Sequence, residues 1–371
     1  MSGSIPIIAN HQLKASAPQR RWIAQKEKDD MFKRIGMHVL LGTFAVTLLA
    51  TGAWAASPIE LTYANFPPPK TFPSVQMERW ADEVKARTGG KVNVKTFPGG
   101  TLLTAKAMMD GVVDGVADIG CVAFPYQPGR FPLLAAVDLP IGFPNSKVAN
   151  AVLWDLYKKY DPASLKSVKV LALFTAPPAA IMSKDPIRKM SDLKGYELRS
   201  TGAGVAPLNI LGAVPVSMPM PDTVEALQRN VVKGVLSSTD ILMDFKFAEQ
   251  VFYTTRADLQ TTSFGVLMNL DKWNALPADV KKVFEDLARE HSMWTGNYVD
   301  DHGKKSIEWS KENHKHEYIE LSADEYAKWH EAMQPITDEW LKTTAAKKLP
   351  AQAFLNDLLQ MKTKYEAEFG K

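Results

Sequence analysis

The chain of 371 residues is 46% hydrophobic and 23% charged, the balance of an ordinary soluble protein with room for two domains or one large one. Its formal charge of +3 resides in the first 55 residues, where Lys14, Arg20, Arg21, Lys26, Lys28, Lys33 and Arg34 face only Glu27, Asp29 and Asp30. Removing these from the 44 basic and 41 acidic residues leaves 37 against 38, and so neutral a remainder argues against a nucleic-acid partner.

Residues 31–55 read as a secretory signal peptide. Lys33 and Arg34 form its basic start, Val39 to Leu49 its apolar core and Ala53-Trp54-Ala55 an A-x-A cleavage site, so the mature chain is expected to begin near Ala56. That core is shorter than the ~20 residues a spanning helix needs, which argues against an uncleaved anchor. Residues 1–30 are polar and aperiodic: a disordered extension, or a start misassigned ahead of Met31. The single cysteine, Cys121, permits no intrachain disulfide and sits too far along to carry a lipid at a mature N-terminus.

Ile59 to Ala64 is predicted as a strand, followed by the loop Asn65-Phe66-Pro67-Pro68-Pro69, where the prolines lack ladder donors. A helix is expected from about Pro73, with Met77, Trp80, Ala81 and Val84 on one face and Gly89-Gly90 ending it. Val92 and Val94 begin a strand that stops at Pro98. Ala105, Met109, Val112 and Val116 mark a second helical face, with Met108 and Met109 assigned to the core, and Ala117 to Val122 reads as a strand buried on both sides.

Residues 191–240 form compact α/β units. Tyr196 to Arg199 is a strand, Gly202 and Gly204 punctuate a loop, Val205 to Leu211 is a short helix and Ala213 to Ser217 an extended run. Pro221 and Asp222 suit the first turn of a helix whose face is Val224, Leu227 and Val231, before a last strand from Gly234 to Ser238. A βαβαβ run implies parallel strands, and ligands sit outside the carboxyl ends of such strands. Arg199 ends the first of them, and its planar fork of donors matches a carboxylate; it could equally lie along the surface on its apolar stem.

DLKGYELR (192–199) and GAVPVSMPMPDTVEALQRNVVKGV (212–235) closely resemble the substrate-binding proteins of tripartite ATP-independent periplasmic (TRAP) transporters, the DctP family. TGGKVNVKTFPGGTL, GVVDGVADIG and DKWNALPADVKKVFEDL extend the resemblance, in the family's order, over nearly all the chain after the leader. It implies an α/β fold of two lobes, each a mostly parallel sheet flanked by helices, with a ligand cleft between them and Arg199 on the ligand's carboxylate. The expected division is 56–176 plus 265–305 for one lobe and 177–264 plus 306–371, with the C-terminal helices, for the other. GVVDGVADIG and RNVVKGVLSS form a faint internal echo, and the two strands they enter deliver Ala123, Phe124 and Tyr126 on one side and Ser237, Ser238 and Asp240 on the other. Phe124 and Tyr126 could instead pack under their own loop, and Asp240 could cap a helix.

Sialate-binding members of the family present polar groups at positions that here best match Ala179, Phe66, Ala123 and Ser237. With Phe124 and Met220 added, the expected pocket suits an acid with one carboxylate and an apolar, branched or aromatic body, in preference to a sugar acid or a dicarboxylate.

Further along, Phe264 to Met268 reads as a strand, and Val280, Val283, Phe284 and Leu287 as a helical stripe. A capping box at Ser322 to Glu325 starts a helix carrying Trp329, Met333, Ile336 and Trp340. These stripes are core or lobe-bracing surfaces, or, if exposed, a homodimer contact. The sequence has no G-x-S-x-G, H-E-x-x-H or P-loop, and Gly202-Ala203-Gly204 lacks the third glycine of a dinucleotide fingerprint. His314 and His316 stand in a charged run without a second ligand pair, so neither metal nor cofactor is expected. The reading is a periplasmic receptor for a small organic acid, partnered by a TRAP permease; a receptor for another transporter or a sensor kinase, and a secreted hydrolase, are the alternatives.

Overall fold

The structure is a computed structural model, in which the described residues are 57–370 and scattered positions between 21 and 31. The expected signal peptide and the extension before it fall outside the described residues, those scattered positions apart.

The strands, numbered in chain order, make two sheets. The first is ordered β2-β1-β3-β10-β4 and comprises Ile59–Ala64 (β1), Val92–Phe97 (β2), Ile119–Ala123 (β3), Val168–Thr175 (β4) and Ser263–Asn269 (β10). The second is ordered β11-β9-β5-β8-β6-β7 and comprises Ala180–Ser183 (β5), Glu197–Ser200 (β6), Val214–Ser217 (β7), Gly234–Ser237 (β8), Tyr253–Thr255 (β9) and Glu317–Ile319 (β11). The two-lobe α/β architecture is the expected one, but the sheets are mixed. β1 pairs in parallel with β2 and β3, and β6 with β7 and β8, whereas β10 and β5 are antiparallel to both of their neighbours. The register explains why. Phe264 lies opposite Ala123 and Ala180 opposite Ser237, so each crossing strand enters its new sheet where the resident strands leave. The crossings, 176–179 and 256–262, are stitched together by Ala176 N donating to Thr262 O at 2.9 Å and Ala179 N to Gln260 O at 2.8 Å.

Helices cover the sheets. In the first lobe, Phe72–Arg87 (α1) starts with Pro73 in its first turn and buries Met77, Trp80, Ala81 and Val84 as expected. Met108–Val113 (α2) is shorter than its apolar face suggested: Gly115 turns the chain at φ 75° and leaves Val116 exposed. Ser146–Tyr160 (α3) is capped by Asn145, whose side chain accepts from Val148 N. In the second lobe are Val205–Ile210 (α4), Met220–Gln228 (α5) and Ile241–Asp244 (α6). Val231 does not share the buried face of α5, because the helix ends at Gln228, Asn230 takes φ 55° and Val231 turns out to solvent.

After Leu270–Ala275 (α7), the stripe from Val280 to Leu287 opens Ala278–His314 (α8), a helix of 37 residues and thus about 55 Å long. It packs on α3 and β4 in the first lobe and on α6 in the second. All of 306–371 is expected in the second lobe from the sequence, and the packing divides that span. In Ala323–Ala332 (α9), Trp329 is buried in the second-lobe core, together with Met333 at its end. Pro335 then starts Gln334–Ala346 (α10), whose Trp340 joins the first-lobe core and donates to Pro132 O at 2.9 Å. Ala351–Phe369 (α11) packs on α3. The Trp329 to Trp340 stripe therefore braces two cores. Ser322 forms half of the expected capping box, accepting from Glu325 N at 3.2 Å, while the Glu325 carboxylate accepts from Met190 N and Trp329 Nε1.

Candidate functional site

β6 continues one residue beyond Arg199, which is paired opposite Val235 of β8 and Val216 of β7. With a strand paired on either side of β6, the Arg199 side chain is buried, only 1% exposed. Its Nε donates to Met218 O at 3.0 Å, and one terminal nitrogen donates to the same oxygen at 2.8 Å and to the Tyr126 phenol oxygen at 3.0 Å. Tyr126 Oη also accepts from Met220 N at 3.0 Å, so both of its lone pairs are engaged. Among the described residues no carboxylate lies within 4.0 Å of Arg199, and its second terminal nitrogen donates to nothing. A buried cation without a counter-ion is unfavourable unless an anion joins it.

The guanidinium faces a cavity between the lobes with about 450 Å³ of atom-free space, mouth included. Phe66, Tyr126, Met220, Ser237, Ser238 and Asp240, all anticipated from the sequence, line it with Arg199. Ala123 and Phe124 do not. Ala123 is buried inside β3, opposite Phe264. Beyond it the chain makes a 3-10 turn, Phe124–Tyr126, that sends Tyr126 to Arg199 and Phe124 the other way, onto Gly265 and 4.3 Å from the Phe131 ring. Phe124 instead lines a second hollow with Pro125, Phe131 and Trp340.

The apolar wall is richer than the sequence suggested. Phe72, Phe245, Phe264, Ala176 and Ile241 line the cavity as well, with Thr201 and Thr262. Phe264 stacks on buried Phe174 at 5.1 Å and meets Phe72 edge-on at 6.0 Å. The proline following Phe72 marked a helix start, but its facing partner arrives only through the antiparallel return of β10, for which the sequence carries no local signal.

Asp240 is 2% exposed, and its Oδ1 meets no donor among the described residues. Burial, and then the nearby charge of Asp244, lift its carboxyl to about 7. Asp244 joins three elements: one oxygen accepts from Phe72 N at the start of α1, at 3.1 Å, and the other lies 2.7 Å from His302 Nε2 on α8. That hydrogen bond raises the His302 pKa above its ordinary value. Of the histidines considered as ligands, His316 is a buried link, 2.7 Å from Thr254 Oγ1 and 3.1 Å from Val251 O. Among the described residues no cluster of three or more His, Cys, Asp or Glu side chains is grouped to hold a metal.

Two lobes joined by the crossings at 176–179 and 256–262 and by α8, with an arginine buried in a cavity between them and unpaired among the described residues, define a solute-binding protein of the periplasmic type. The chain belongs to the DctP family, bacterial extracellular solute-binding protein family 7, whose family model matches residues 63–343. It is 24% identical over 326 residues to the C4-dicarboxylate-binding periplasmic protein DctP of Rhodobacter capsulatus, a match covering 86% of this chain and 98% of that protein. Among solved structures, a TRAP periplasmic solute-binding protein from Desulfovibrio salexigens is 48% identical, with a TM-score of 0.76 over 84% of this chain and 97% of that one. A marine metagenome TRAP solute-binding protein, described as specific for aromatic acid ligands and complexed with 3-hydroxybenzoate, is 27% identical, with a TM-score of 0.80 over 83% and 99%. The family is one of periplasmic solute receptors that serve TRAP transporters, not of enzymes.

Proposed function

We propose that this chain binds a small organic acid with one carboxylate and an apolar, preferably aromatic, body and hands it to a TRAP-type permease after export by its cleaved leader. The observation that carries this reading is Arg199, buried with no counter-ion and with donors still free among the described residues. A carboxylate would pair with it, while the phenylalanine wall takes the ligand body out of water. The complex of the marine metagenome relative with 3-hydroxybenzoate supports an aromatic body.

A dicarboxylate, the ligand named for the Rhodobacter relative, suits this cavity less well. Arg199 is the only cation among the described residues lining it, and Asp240 would repel a second negative group. A thermal-shift screen across aromatic monocarboxylates, sugar acids and C4-dicarboxylates tests the reading. The largest stabilisation is expected from the first class; if either of the others stabilises most while the aromatic acids do nothing, the reading is wrong. N-terminal sequencing of periplasmic protein should begin near Ala56.

A further inference from the structure

We propose that Asp240 makes this cavity selective for acids whose body carries a hydrogen-bond donor, a hydroxyl or an N–H, in addition to the carboxylate held by Arg199.

β8 delivers Asp240 to the cavity. Its residues run out of the sheet at Ser237, and the chain then passes Ser238 and Thr239 into Asp240, the residue before α6. The backbone carbonyl of Asp240 is engaged, accepting from Asp244 N at 3.0 Å and from Ser306 Oγ at 3.2 Å, and this pins the residue against α8. Its side chain caps nothing. Asp240 lines the cavity, and its buried Oδ1 has no donor among the described residues. Arg199 does not answer it, since no ion pair within 4.0 Å joins the two. Asp244 cannot, being itself a carboxylate already occupied by His302 and Phe72 N.

An acceptor buried in this way lacks a partner that a ligand can bring. Of the other polar groups on the wall, Arg199 and the Tyr126 phenol, its lone pairs engaged, only donate, while the hydroxyls of Thr201, Ser237, Ser238 and Thr262 both donate and accept and so do not distinguish a ligand donor from a ligand acceptor. An ionised carboxyl only accepts. It rewards an O–H or N–H and is left unpaired by a hydrogen or a methyl ether in the same place, and a site that leaves a buried polar group unpaired rejects the analogue strongly. Since burial lifts this carboxyl to about 7, a donor on the ligand also favours the ionised form that burial opposes.

The proposal rests on the reading of the cavity as an acid site, and calorimetric titration separates the two. Wild-type protein at pH 8 is titrated with matched sets: 3-hydroxybenzoate, benzoate and 3-methoxybenzoate; 3-hydroxyphenylacetate, phenylacetate and 3-methoxyphenylacetate. In the best-binding set the hydroxy acid should bind at least tenfold more tightly than both its deoxy parent and its methyl ether. Asp240→Ala should bring the three within about threefold of one another, chiefly by weakening the hydroxy acid. If the deoxy parents bind wild type as tightly as the hydroxy acids, or the preference survives in Asp240→Ala, the proposal is overturned with the acid site intact. If no acid of either set binds wild type, the acid-site reading fails and the proposal falls with it. The wild-type comparison decides the matter even if the variant does not fold.

Discussion

The Tyr126 phenol oxygen accepts at once from Arg199, at 3.0 Å, and from Met220 N, at 3.0 Å, so one side chain of the first lobe holds two donors of the second. The contact closes the cavity at the arginine and leaves the phenol proton without an acceptor among the described residues, available to a carboxylate beside the guanidinium.

Tyr126→Phe should therefore weaken ligand binding by about 1–3 kcal/mol, because the ligand carboxylate loses the phenol donor. Arg199 and Met220 N also lose that acceptor in the ligand-free protein, so its melting temperature should fall as well. Calorimetry and thermal denaturation on the same sample check both halves; unchanged affinity would remove Tyr126 from the site.

His291 supplies a pH prediction. It is fully buried, with Nδ1 2.9 Å from an Arg79 terminal nitrogen and Nε2 2.8 Å from Gln76 Oε1. Burial first, and then the Arg79 charge, depress its pKa to about 3. Between the ordinary value near 6.5 and that depressed one, the unfolded chain binds a proton that the native state refuses, so this group's contribution to stability is present above pH 6.5 and lost as the pH falls. Asp138 and Asp240, both lifted by burial to about 7, act in the opposite direction over much of that window. The comparison must therefore be between proteins: the stability advantage of wild type over His291→Gln should shrink as urea titrations move from pH 7 to pH 4. A constant difference would contradict the assignment.

Gly234 opens β8 between β5 and β6, and a Cβ there would lie 2.4 Å from Met182 O and 2.8 Å from Leu198 Cδ2. The carbonyl belongs to a paired strand and cannot yield, so Gly234→Ala should destabilise by about 1–3 kcal/mol or more. Urea midpoints provide the measurement. The variant should also bind ligand less well, since β8 carries Ser237 and the residues that follow it into the cavity.

The local rules carried the sequence reading a long way. The proline loop at 67–69, the α1 stripe, the glycine stop at 89–90 and the Arg199 strand are encoded within a few residues of one another, and the structure has each of them. What failed depended on distant parts of the chain. The antiparallel entry of β5 and β10 follows from where the chain crosses between lobes, which no window of sequence reports. The same crossing brings Phe264 to the cavity and keeps Ala123 behind it. Phe124 was misplaced by a single turn, whose direction depends on the space left by Gly265. The length of α8 was hidden because most of its exposed face is charged, and the C-terminal stripe was read as one helix although Pro335 divides it between two cores.

Arg199 is where the account is most exposed. Calorimetric titration of wild type and Arg199→Ala with the acid that stabilises wild type most should show saturable binding in the first and a loss of about 2–5 kcal/mol in the second, because the ligand carboxylate would be buried without its partner. Equal affinity in the two proteins would contradict it.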